Sequence, residues 1–573
     1  MTALRATHIR LGHSVGDDLR RAWTRLRPSR PLDVALSTIL ILLFYRLHQE
    51  YNLPTLSTVM HFTTNFITDA WRLPGVILPG FLFITFLALA AFLVYKAVYN
   101  RYFHPLSRYP GPFWGSVTDL YKFYAINSIP TEGLKLHQEH GPLIRLAPNL
   151  LSFCDPRLLP DIYHARADKT PFYSSWLFGN AVGMFQTLDN REHARKSKIV
   201  APCCSMKTLK KFEKTIDERI AELCDRIKQR STAHEAVDFS EYVRWWLADV
   251  YSHIAYGEPL GCVARGHDVN GLIDAIQSAY SMVGTVAVLP WLFIPLIKNA
   301  LLKKLVVPYL KASKGIKKLT DNYENMMVKR STEPHLKFRP CLFDSLLIPN
   351  PSRESLSPSE IAAEHILFTS AALDGLAAFI SPFIDHVTQN PSIYRTLMAE
   401  ITDFERRGAL SGPVVSHAET TALPYFMACI SECLRFESPA QTILPRYVSA
   451  GGLVYDGEVI PAGTEMAASP YIIHRSRAVF GEDADTFRPE RWLEDQERSA
   501  RMERYGMWWG YGTRQCTGKY LAQMQMQKLC LEILRRFEVK AKDPERRFVH
   551  KRWAVGMFWE QEMMFRGREM GKY

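Results

Sequence analysis

The chain has 573 residues, 47% of them hydrophobic and 22% charged, which excludes a disordered or low-complexity protein and leaves room for a large core. Its formal charge of +12 suits an anionic membrane face, an acidic partner protein or nucleic acid. No zinc-ligand spacing, helix-turn-helix or aromatic-basic signature supports the last of these, so nucleic acid is not expected as a partner. Ten cysteines are too sparse for a disulfide scaffold, and we expect them to be reduced and mostly buried.

The amino-terminal part carries a basic segment and two apolar runs. Seven arginines lie between residues 5 and 30, and the stretch 73–95 has no charged residue. That stretch is long enough to cross a hydrocarbon core about 30 Å thick. The run at 34–45 is shorter, and by length it is also compatible with an interfacial or core helix. Two spans would place the arginine-rich N-terminal segment and the large C-terminal part on the same side of the membrane. That side would be the cytosol, because basic segments next to membrane spans favour the cytoplasmic side.

These observations predict a division of the chain into four parts. A basic cytosolic segment at 1–30 precedes a membrane region at 31–98, with spans at about 32–46 and 73–95; a single span is the alternative. Prolines and glycines at 99–115 indicate a stiff hinge rather than a helix. Residues 116–573 then form one large C-terminal domain.

Helical patterns dominate the soluble part. Apolar residues recur at three- and four-residue steps over 206–227. A second helix is predicted to begin at Pro358, with Ser357 as its cap and Glu360 closing a capping box. It extends to about Gln389, and Pro382 should kink it.

Strand patterns are confined to short pieces at 143–155 and 446–469. The second piece contains turn signals at Gly451–Gly452 and Asp456–Gly457, which predict hairpins. The balance predicts a mainly α fold with small antiparallel β-sheets (α+β). Strands and helices do not alternate, which argues against a Rossmann domain.

The stretch MWWGYGTRQCTGKYLAQMQMQ at 507–527 is the strongest candidate for chemistry. Its glycines do not follow the G-x-G-x-x-G spacing of a dinucleotide site. Cys516 lies just before a predicted helix, where the helix dipole and Arg514 favour thiolate over thiol. A thiolate in this position is a nucleophile or a metal ligand, and an inert buried cysteine is the alternative.

Four motifs together resemble those of the cytochrome P450 superfamily. WGYGTRQCTG resembles the haem-binding loop, with Trp509 in place of the usual Phe. ECLR resembles the E-x-x-R helix motif, FRPERW the segment that completes its triad, and HPLSRYPGP the hinge of fungal members. The matching residues are Trp509, Gly512, Arg514, Cys516 and Gly518 in the loop, and Glu432, Arg435 and Arg491 in the triad.

The resemblance implies the P450 fold and a haem b cofactor, with Cys516 as the axial ligand of the iron. Arg446, Arg514 and His193 stand at family positions that face the haem propionates. Four residues after His193 the family commonly has Arg, whereas this chain has Ser197. Lys196 or Lys198 would then take over that contact.

The long helix departs from the family pattern A-G-x-D/E-T-T. Asp374 stands at the acid position, and Gly375 replaces the threonine that usually organises proton delivery. Three interpretations remain open: ordinary monooxygenation with protons from Asp374, Thr369, Ser370, water or substrate; an unusual oxidation; or an oxygen-independent isomerase or dehydratase.

By the same resemblance, an apolar pocket accepts a lipophilic substrate. The contacts are expected from the loop around 172–184 and from two further segments. The substrate residues in those segments are Phe368, Ala371, Ala372, Gln441, Thr442 and Ile443.

The function implied is that of a fungal monooxygenase, an oxidoreductase that oxidises a lipophilic small molecule in secondary metabolism. It would use O2 and electrons from NADPH through a separate NADPH–cytochrome P450 reductase, and cytochrome b5 is a further candidate donor. The expected location is the endoplasmic reticulum membrane, in contact with lipid and with the catalytic domain in the cytosol. The alternatives are an oxygen-independent rearrangement enzyme and a non-catalytic haem-binding membrane protein.

Overall fold

A computed structural model describes residues 77–128, 132–176, 182–278, 307–337, 339–347, 354–546, 548–552 and 555–568, with positions 290, 294–296 and 299 between them. The chain divides into two units, Met1–Ala97 and Val98–Tyr573. The predicted basic segment at 1–30 and the predicted first span at 32–46 lie outside the described residues.

One amino-terminal helix supports a membrane anchor. Helix α1 (Ile77–Val98) covers most of the predicted span at 73–95. Residues Phe83–Phe103 are long and apolar enough to cross a membrane, and 6% of their most apolar window is buried. Among the described helices, Pro358–Gln389 passes the same test, but 78% of its window is buried, so it is a core helix.

The larger unit is mostly helical, which confirms the predicted fold class. Its α-helices are α2 (Phe113–Val117), α3 (Tyr121–Ser128), α4 (Leu134–His140), α5 (Leu159–Ile162), α6 (Asn190–Val200), α7 (Met206–Leu209), α8 (Glu213–Thr232), α9 (Phe239–Tyr256), α10 (Cys262–Arg265), α11 (Val307–Thr332), α12 (Pro334–Lys337), α13 (Asp344–Leu347), α14 (Pro358–Gln389), α15 (Pro391–Arg406), α16 (His417–Thr420), α17 (Pro424–Phe436), α18 (Pro470–Ile473), α19 (Arg477–Phe480), α20 (Gln496–Tyr505) and α21 (Lys519–Arg536).

The described strands form four small sheets. They are β1 (Leu143–Ala147), β2 (Leu150–Phe153), β3 (Val237–Asp238), β4 (Arg446–Tyr447), β5 (Leu453–Tyr455), β6 (Glu458–Ile460), β7 (Glu465–Ala467), β8 (Phe537–Ala541), β9 (Val549–Arg552), β10 (Gly556–Trp559) and β11 (Glu562–Gly567). The sheet orders are β1-β2-β7-β4, β3-β11-β8, β5-β6 and β10-β9. All pairs are antiparallel except β2–β7, which is parallel.

Helix α14 has the start and the end that the sequence predicts. The Ser357 side chain accepts from the Glu360 amide, and the Glu360 side chain accepts from the Ser357 amide, so the capping box is present. The helix continues through Pro382 to Gln389. It packs against α9, α17, α21 and β10, which makes it the central element of the unit.

The predicted turn at Asp456–Gly457 is present, whereas the periodic run at 206–227 contains a break. The Asp456–Gly457 turn joins β5 to β6, and both residues have positive φ, as a tight two-residue hairpin turn requires. The periodic run at 206–227 is not one helix, because a 3-10 turn at Lys210–Phe212 separates α7 from α8. Its apolar face is buried, since Ile216, Ile220 and Ile227 have 0% exposure.

The hinge at 99–115 packs against strand β1. The Arg145 guanidinium donates to the Asn100 carbonyl at 2.8 Å, and the Arg145 amide donates to the Pro110 carbonyl at 2.8 Å. A Cβ at Gly111 would lie 2.6 Å from the Arg145 carbonyl oxygen, so the close approach requires glycine. The connector is therefore held by backbone contacts. It contains a π-helical turn at Tyr99–Phe103 and the start of α2, so the expectation of a segment without helix is wrong.

Candidate active site

Cys516 lies in a tight loop that precedes α21. Its amide donates to the Trp509 carbonyl at 2.7 Å, which closes the loop. Gly512 has φ +67°, and a Cβ there would lie 1.7 Å from the Tyr163 carbonyl oxygen, so only glycine fits. A Cβ at Gly518 would lie 3.9 Å from Cys516 Sγ, which places that backbone beside the sulfur.

Cys516 is the exposed member of the ten cysteines, all of which the structure describes. Burial nonetheless raises the pKa of its thiol, and the Gly518 amide, the Lys519 charge and the Lys519 amide lower that pKa by less. Desolvation is the larger effect on this thiol in the protein chain alone, and the amides at the helix start act in the opposite direction, which favours the thiolate.

The three triad residues meet in the core. Arg435 binds the Glu432 carboxylate with two bonds of 2.8 and 2.7 Å, and Arg491 Nε donates to Glu432 Oε1 at 3.1 Å. All three side chains have 0% exposure. Burial alone raises the pKa of Glu432, but the bonds from Arg435 and the charge of Arg491 lower it overall.

The triad is connected to the cysteine loop through His474. Arg435 Nη1 donates to the His474 carbonyl at 2.9 Å, and the Met507 amide donates to His474 Nε2 at 2.8 Å. Burial and two nearby arginines lower the pKa of His474 far below its usual range, so the ring is neutral and Nε2 is free to accept. The triad thus positions the start of the loop that ends at Cys516.

Four basic groups gather beside the loop. Arg514 donates to the side chain of Asn190 and to the carbonyls of Thr187 and Leu188, and Arg446 donates to the Tyr173 hydroxyl at 2.6 Å. Sequence reasoning missed the third member, Lys169, whose ammonium donates to the Phe185 carbonyl at 2.6 Å.

The basic groups repel one another. Burial lowers the pKa of Lys169 far below its usual range, and the charges of Arg446 and Arg514 lower it further. Burial, Arg514, Lys169 and Arg446 together lower the pKa of His193 to about 3. A cluster of this kind is complementary to an anionic group.

The structure places Lys169 in the basic cluster, and the two lysines predicted to substitute for the missing arginine after His193 are placed differently. Lys196 forms an ion pair with Glu360 at 3.1 Å and donates to the Val182 carbonyl at 2.5 Å, so it is engaged elsewhere. Lys198 is exposed. No local pattern marks Lys169, because it meets the cluster only through the fold.

Helix α14 carries an accessible stripe on an otherwise buried surface. Leu367, Phe368, Ala372 and Gly375 are partly exposed, and Ala371 is exposed. Their spacing places them on one face of the helix. A Cβ at Gly375 would meet no atom within 4 Å, so this face has space at that point.

Asp374 flanks this stripe and is buried. Its Oδ1 lies 3.8 Å from Arg244 Nε on α9, and its Oδ2 has no hydrogen-bond partner among the described residues. Burial raises the pKa of Asp374 to about 6, although Arg244 lowers it. Arg244 also donates to the Phe558 carbonyl of β10, so one guanidinium connects the acid to that strand.

Thr369 does not join the other predicted catalytic residues. Its hydroxyl donates to the His365 carbonyl at 2.7 Å, and it faces a cavity of about 30 Å³ between α9, α11 and α14. At about 100° per residue, Thr369 lies about 120° around the helix from Gly375. Thr369 and Gly375 therefore lie on different faces of the helix, and the catalytic role of Thr369 stays a prediction.

The predicted substrate residues fall into two groups. Phe368, Ala371 and Ala372 lie on the accessible stripe. Ile443 is 1% exposed and packs in a hydrophobic cluster, and its role as a substrate contact stays a prediction. Gln441 and Thr442 are buried, and their side-chain polar atoms have no hydrogen-bond partner among the described residues.

The residues fit a haem group. An accessible sulfur at a helix start matches an axial ligand of iron, and the cluster of Lys169, His193, Arg446 and Arg514 matches carboxylate propionates. The open space at Gly375 and the stripe of small and apolar side chains provide a surface for an apolar molecule.

Comparison with known proteins identifies the family. The family model of cytochrome P450 matches residues 105–560, most of the chain, so the protein belongs to the cytochrome P450 family. It is 31% identical to quiannulatic acid synthase of Emericella variicolor over 75% of this chain and 87% of that protein. It is 29% identical to cytochrome P450 monooxygenase gsfF of Penicillium aethiopicum over 80% of this chain and 93% of the relative.

A third relative extends the range of named activities. Pisatin demethylase of Fusarium vanettenii is 25% identical over 80% of this chain and 88% of its own length. The match to the family model confirms the resemblance inferred from the motifs.

Proposed function

We propose that this protein is a haem-thiolate monooxygenase that oxidises a lipophilic small molecule in fungal secondary metabolism. The observation that carries the proposal is the accessible Cys516 sulfur, held by the triad-supported loop beside a cluster of four basic groups. Membership of the cytochrome P450 family and relatives named as monooxygenases support it.

Each group of residues has a role in this proposal. Cys516 would ligate the iron of haem b, with Trp509, Gly512 and Gly518 forming its loop. When bound, the haem supplies oxygen activation, because electron donation from the thiolate favours O–O cleavage. The propionates would be held by Arg446, Arg514, His193 and Lys169.

The accessible stripe of α14 orients the substrate, and Asp374 supplies protons beside it. The carboxyl is suited to this role because its pKa of about 6 lies near neutrality, where a group both gives and regains protons readily. Arg244 holds the carboxylate after a proton leaves. Gly375 contributes no hydroxyl, so water or the substrate completes the path.

The partners follow from the family. Electrons would come from NADPH through a separate reductase, with cytochrome b5 as a further candidate, and the formal charge of +12 favours an acidic donor. The apolar helix α1 would anchor the protein in the endoplasmic reticulum membrane, with the catalytic domain in the cytosol.

A reduced carbon monoxide spectrum tests the haem-thiolate centre. The full-length protein should show the Soret band of a thiolate-ligated haem, and Cys516→Ser should lose that band. Cys154→Ala is the matched control, because Cys154 lies elsewhere and is only partly buried, and it should retain the band. A Cys516→Ser protein with an unchanged band contradicts the proposal.

Gly375 favours a second candidate, an oxygen-independent haem-thiolate isomerase, because a reaction without O2 needs no proton-delivering hydroxyl. Oxygen uptake with reductase and NADPH separates the two. Substrate-dependent uptake that matches product formation supports the monooxygenase, and product without uptake supports the isomerase.

A further inference from the structure

Glu364 lies on the same face of α14 as the accessible stripe. At about 100° per residue, its Cα is about 20° around the helix axis from Gly375, between the directions of Phe368 and Ala371. Glu364 precedes Gly375 by eleven positions, which corresponds to about 16 Å along the helix axis. Glu364 therefore stands at the far end of the surface that would contact the substrate.

The carboxyl of Glu364 is buried, and only one of its two oxygens accepts a hydrogen bond from the described residues. Its side chain has 0% exposure. Oε1 accepts a hydrogen bond from the Met184 amide, and a Cβ at Gly183 would lie 3.3 Å from the same oxygen. Oε2 has no hydrogen-bond partner among the described residues. A buried acceptor without a partner is costly, and a donor group on a ligand would offset that cost.

Among the residues that the structure describes, no cation forms an ion pair with this carboxyl. Lys196 attracts its charge, but the Lys196 ammonium is engaged by Glu360 at 3.1 Å and by the Val182 carbonyl at 2.5 Å. The neighbouring Glu360 repels it. Protein groups therefore leave Glu364 able to accept a further donor.

Glu364 and Cys516 border the same region. Cys204, at the end of the 3-10 turn Ala201–Cys204, lies close enough to both residues that each raises the pKa of its thiol. The loop that covers Glu364, at Gly183 and Met184, is continuous with Thr187 and Leu188, whose carbonyls bind Arg514. The carboxyl is thus part of the surroundings of the proposed haem site.

We propose that Glu364 binds the polar end of the substrate, which is an elongated lipophilic molecule with a hydroxyl or a protonated amine about 16 Å from the carbon presented at Gly375. This inference rests on the proposed function. The stripe between the two residues accommodates the apolar body, and Oε2 accepts the donor group. Glu364 is a specificity-determining residue here, because it selects which end of the molecule reaches the iron.

Titration of the purified, haem-loaded full chain with linear probes tests the inference. The probes are 1-alkanols and 1-alkylamines of increasing length, each compared with the alkane of the same length, and the Soret absorbance reports binding. We expect an optimum at the length that spans about 16 Å, and at least tenfold tighter binding of the alkanol or amine than of the alkane.

The variants distinguish the two donor groups. Glu364→Gln keeps an acceptor for the Met184 amide but has no charge, so it should weaken amine binding at least tenfold and alkanol binding by less. Glu364→Leu should weaken both and leave the alkanes unchanged. The exposed Glu324→Gln on α11 is the control for loss of a charge, and it should match the wild type.

Two results would overturn the inference: no binding of any alkanol or amine to the wild type, or equal affinities of the wild type and Glu364→Gln for every probe. The reduced carbon monoxide spectrum is recorded on the same samples. A missing thiolate band refutes the proposed function itself, whereas a normal band without discrimination between probes refutes only the role of Glu364.

Discussion

Gly375 occupies the position at which the family pattern has a threonine, and its surroundings leave room for one. A Cβ there meets nothing within 4 Å, and the residue is partly exposed on the stripe. Glycine in a helix interior costs about 1 kcal/mol relative to alanine, so this residue weakens α14 without a packing requirement. No packing contact among the described residues requires this glycine, and we propose that it is a functional feature of the site.

Restoring a hydroxyl at this position should change how well oxygen consumption is coupled to product. In Gly375→Thr the new hydroxyl lies beside Asp374 and can pass its proton, so the fraction of consumed O2 released as hydrogen peroxide should fall. Peroxide and NADPH oxidation are measured together with reductase. Gly375→Ala controls for helix stability, and equal peroxide yields in the two variants contradict a role for the hydroxyl.

Glu364 illustrates the cost of a functional carboxyl in the interior. Burial raises its pKa from 4.5 to about 7, although the Met184 amide and Lys196 lower it. A folded-state pKa above the unfolded value means that the native state binds more protons between these two pH values. Stability therefore falls as pH rises from about 4.5 to about 7, by up to about 3 kcal/mol.

Glu364→Gln removes this penalty and retains the acceptor for Met184. The variant should be more stable than the wild type at pH 8, by up to about 3 kcal/mol, and the difference should shrink towards pH 5. Urea unfolding at both pH values measures it. A difference that grows at low pH would have the wrong sign and would show that Glu364 is stabilised as an anion.

At the scale of elements, the triad ties α17 to the 3-10 turn Pro489–Trp492. The two arginines and the Trp492 indole all bind one carboxylate, at 2.7 to 3.1 Å. Arg435 and Arg491 also bind backbone carbonyls of the segment between them. The network fixes this segment and, through His474, the cysteine loop.

Glu432→Gln should destabilise the protein by about 3–5 kcal/mol, because Arg435 loses its buried counter-charge and Arg491 keeps only the partly exposed Asp483 at 2.8 Å. The yield of protein with the thiolate-type carbon monoxide band and the thermal midpoint should both fall. Asp321→Asn removes the exposed pair with Lys317 and is the control, with an expected cost below about 1 kcal/mol. Similar losses in both variants would contradict the structural role of the triad.

At the scale of the whole molecule, elements far apart in sequence converge on α14. Arg244 on α9 meets Asp374, and the same guanidinium binds the backbone of β10, more than 300 positions later. The loop at 182–188 reaches both the start of α14 and Arg514. The site is therefore assembled by contacts between distant segments and not by any one motif.

Local sequence patterns were sufficient to predict several structural features. The capping box set the start of α14, the Asp456–Gly457 turn predicted the β5–β6 hairpin, and the loop glycines marked Cys516. These signals depend on residues within a few positions of one another, so the sequence displays them directly. The break between α7 and α8 and the parallel β2–β7 pair depend on packing, and periodicity alone did not predict them.

The sequence by itself determined the family, the candidate iron ligand and the triad, because each is encoded in a short motif with a defined spacing. Only the tertiary structure decided that Lys169 joins the basic cluster, that Arg244 meets Asp374, and that Glu364 is buried with one oxygen that has no hydrogen-bond partner among the described residues. Burial and the meeting of charges are long-range properties of the folded chain, and no local pattern specifies them.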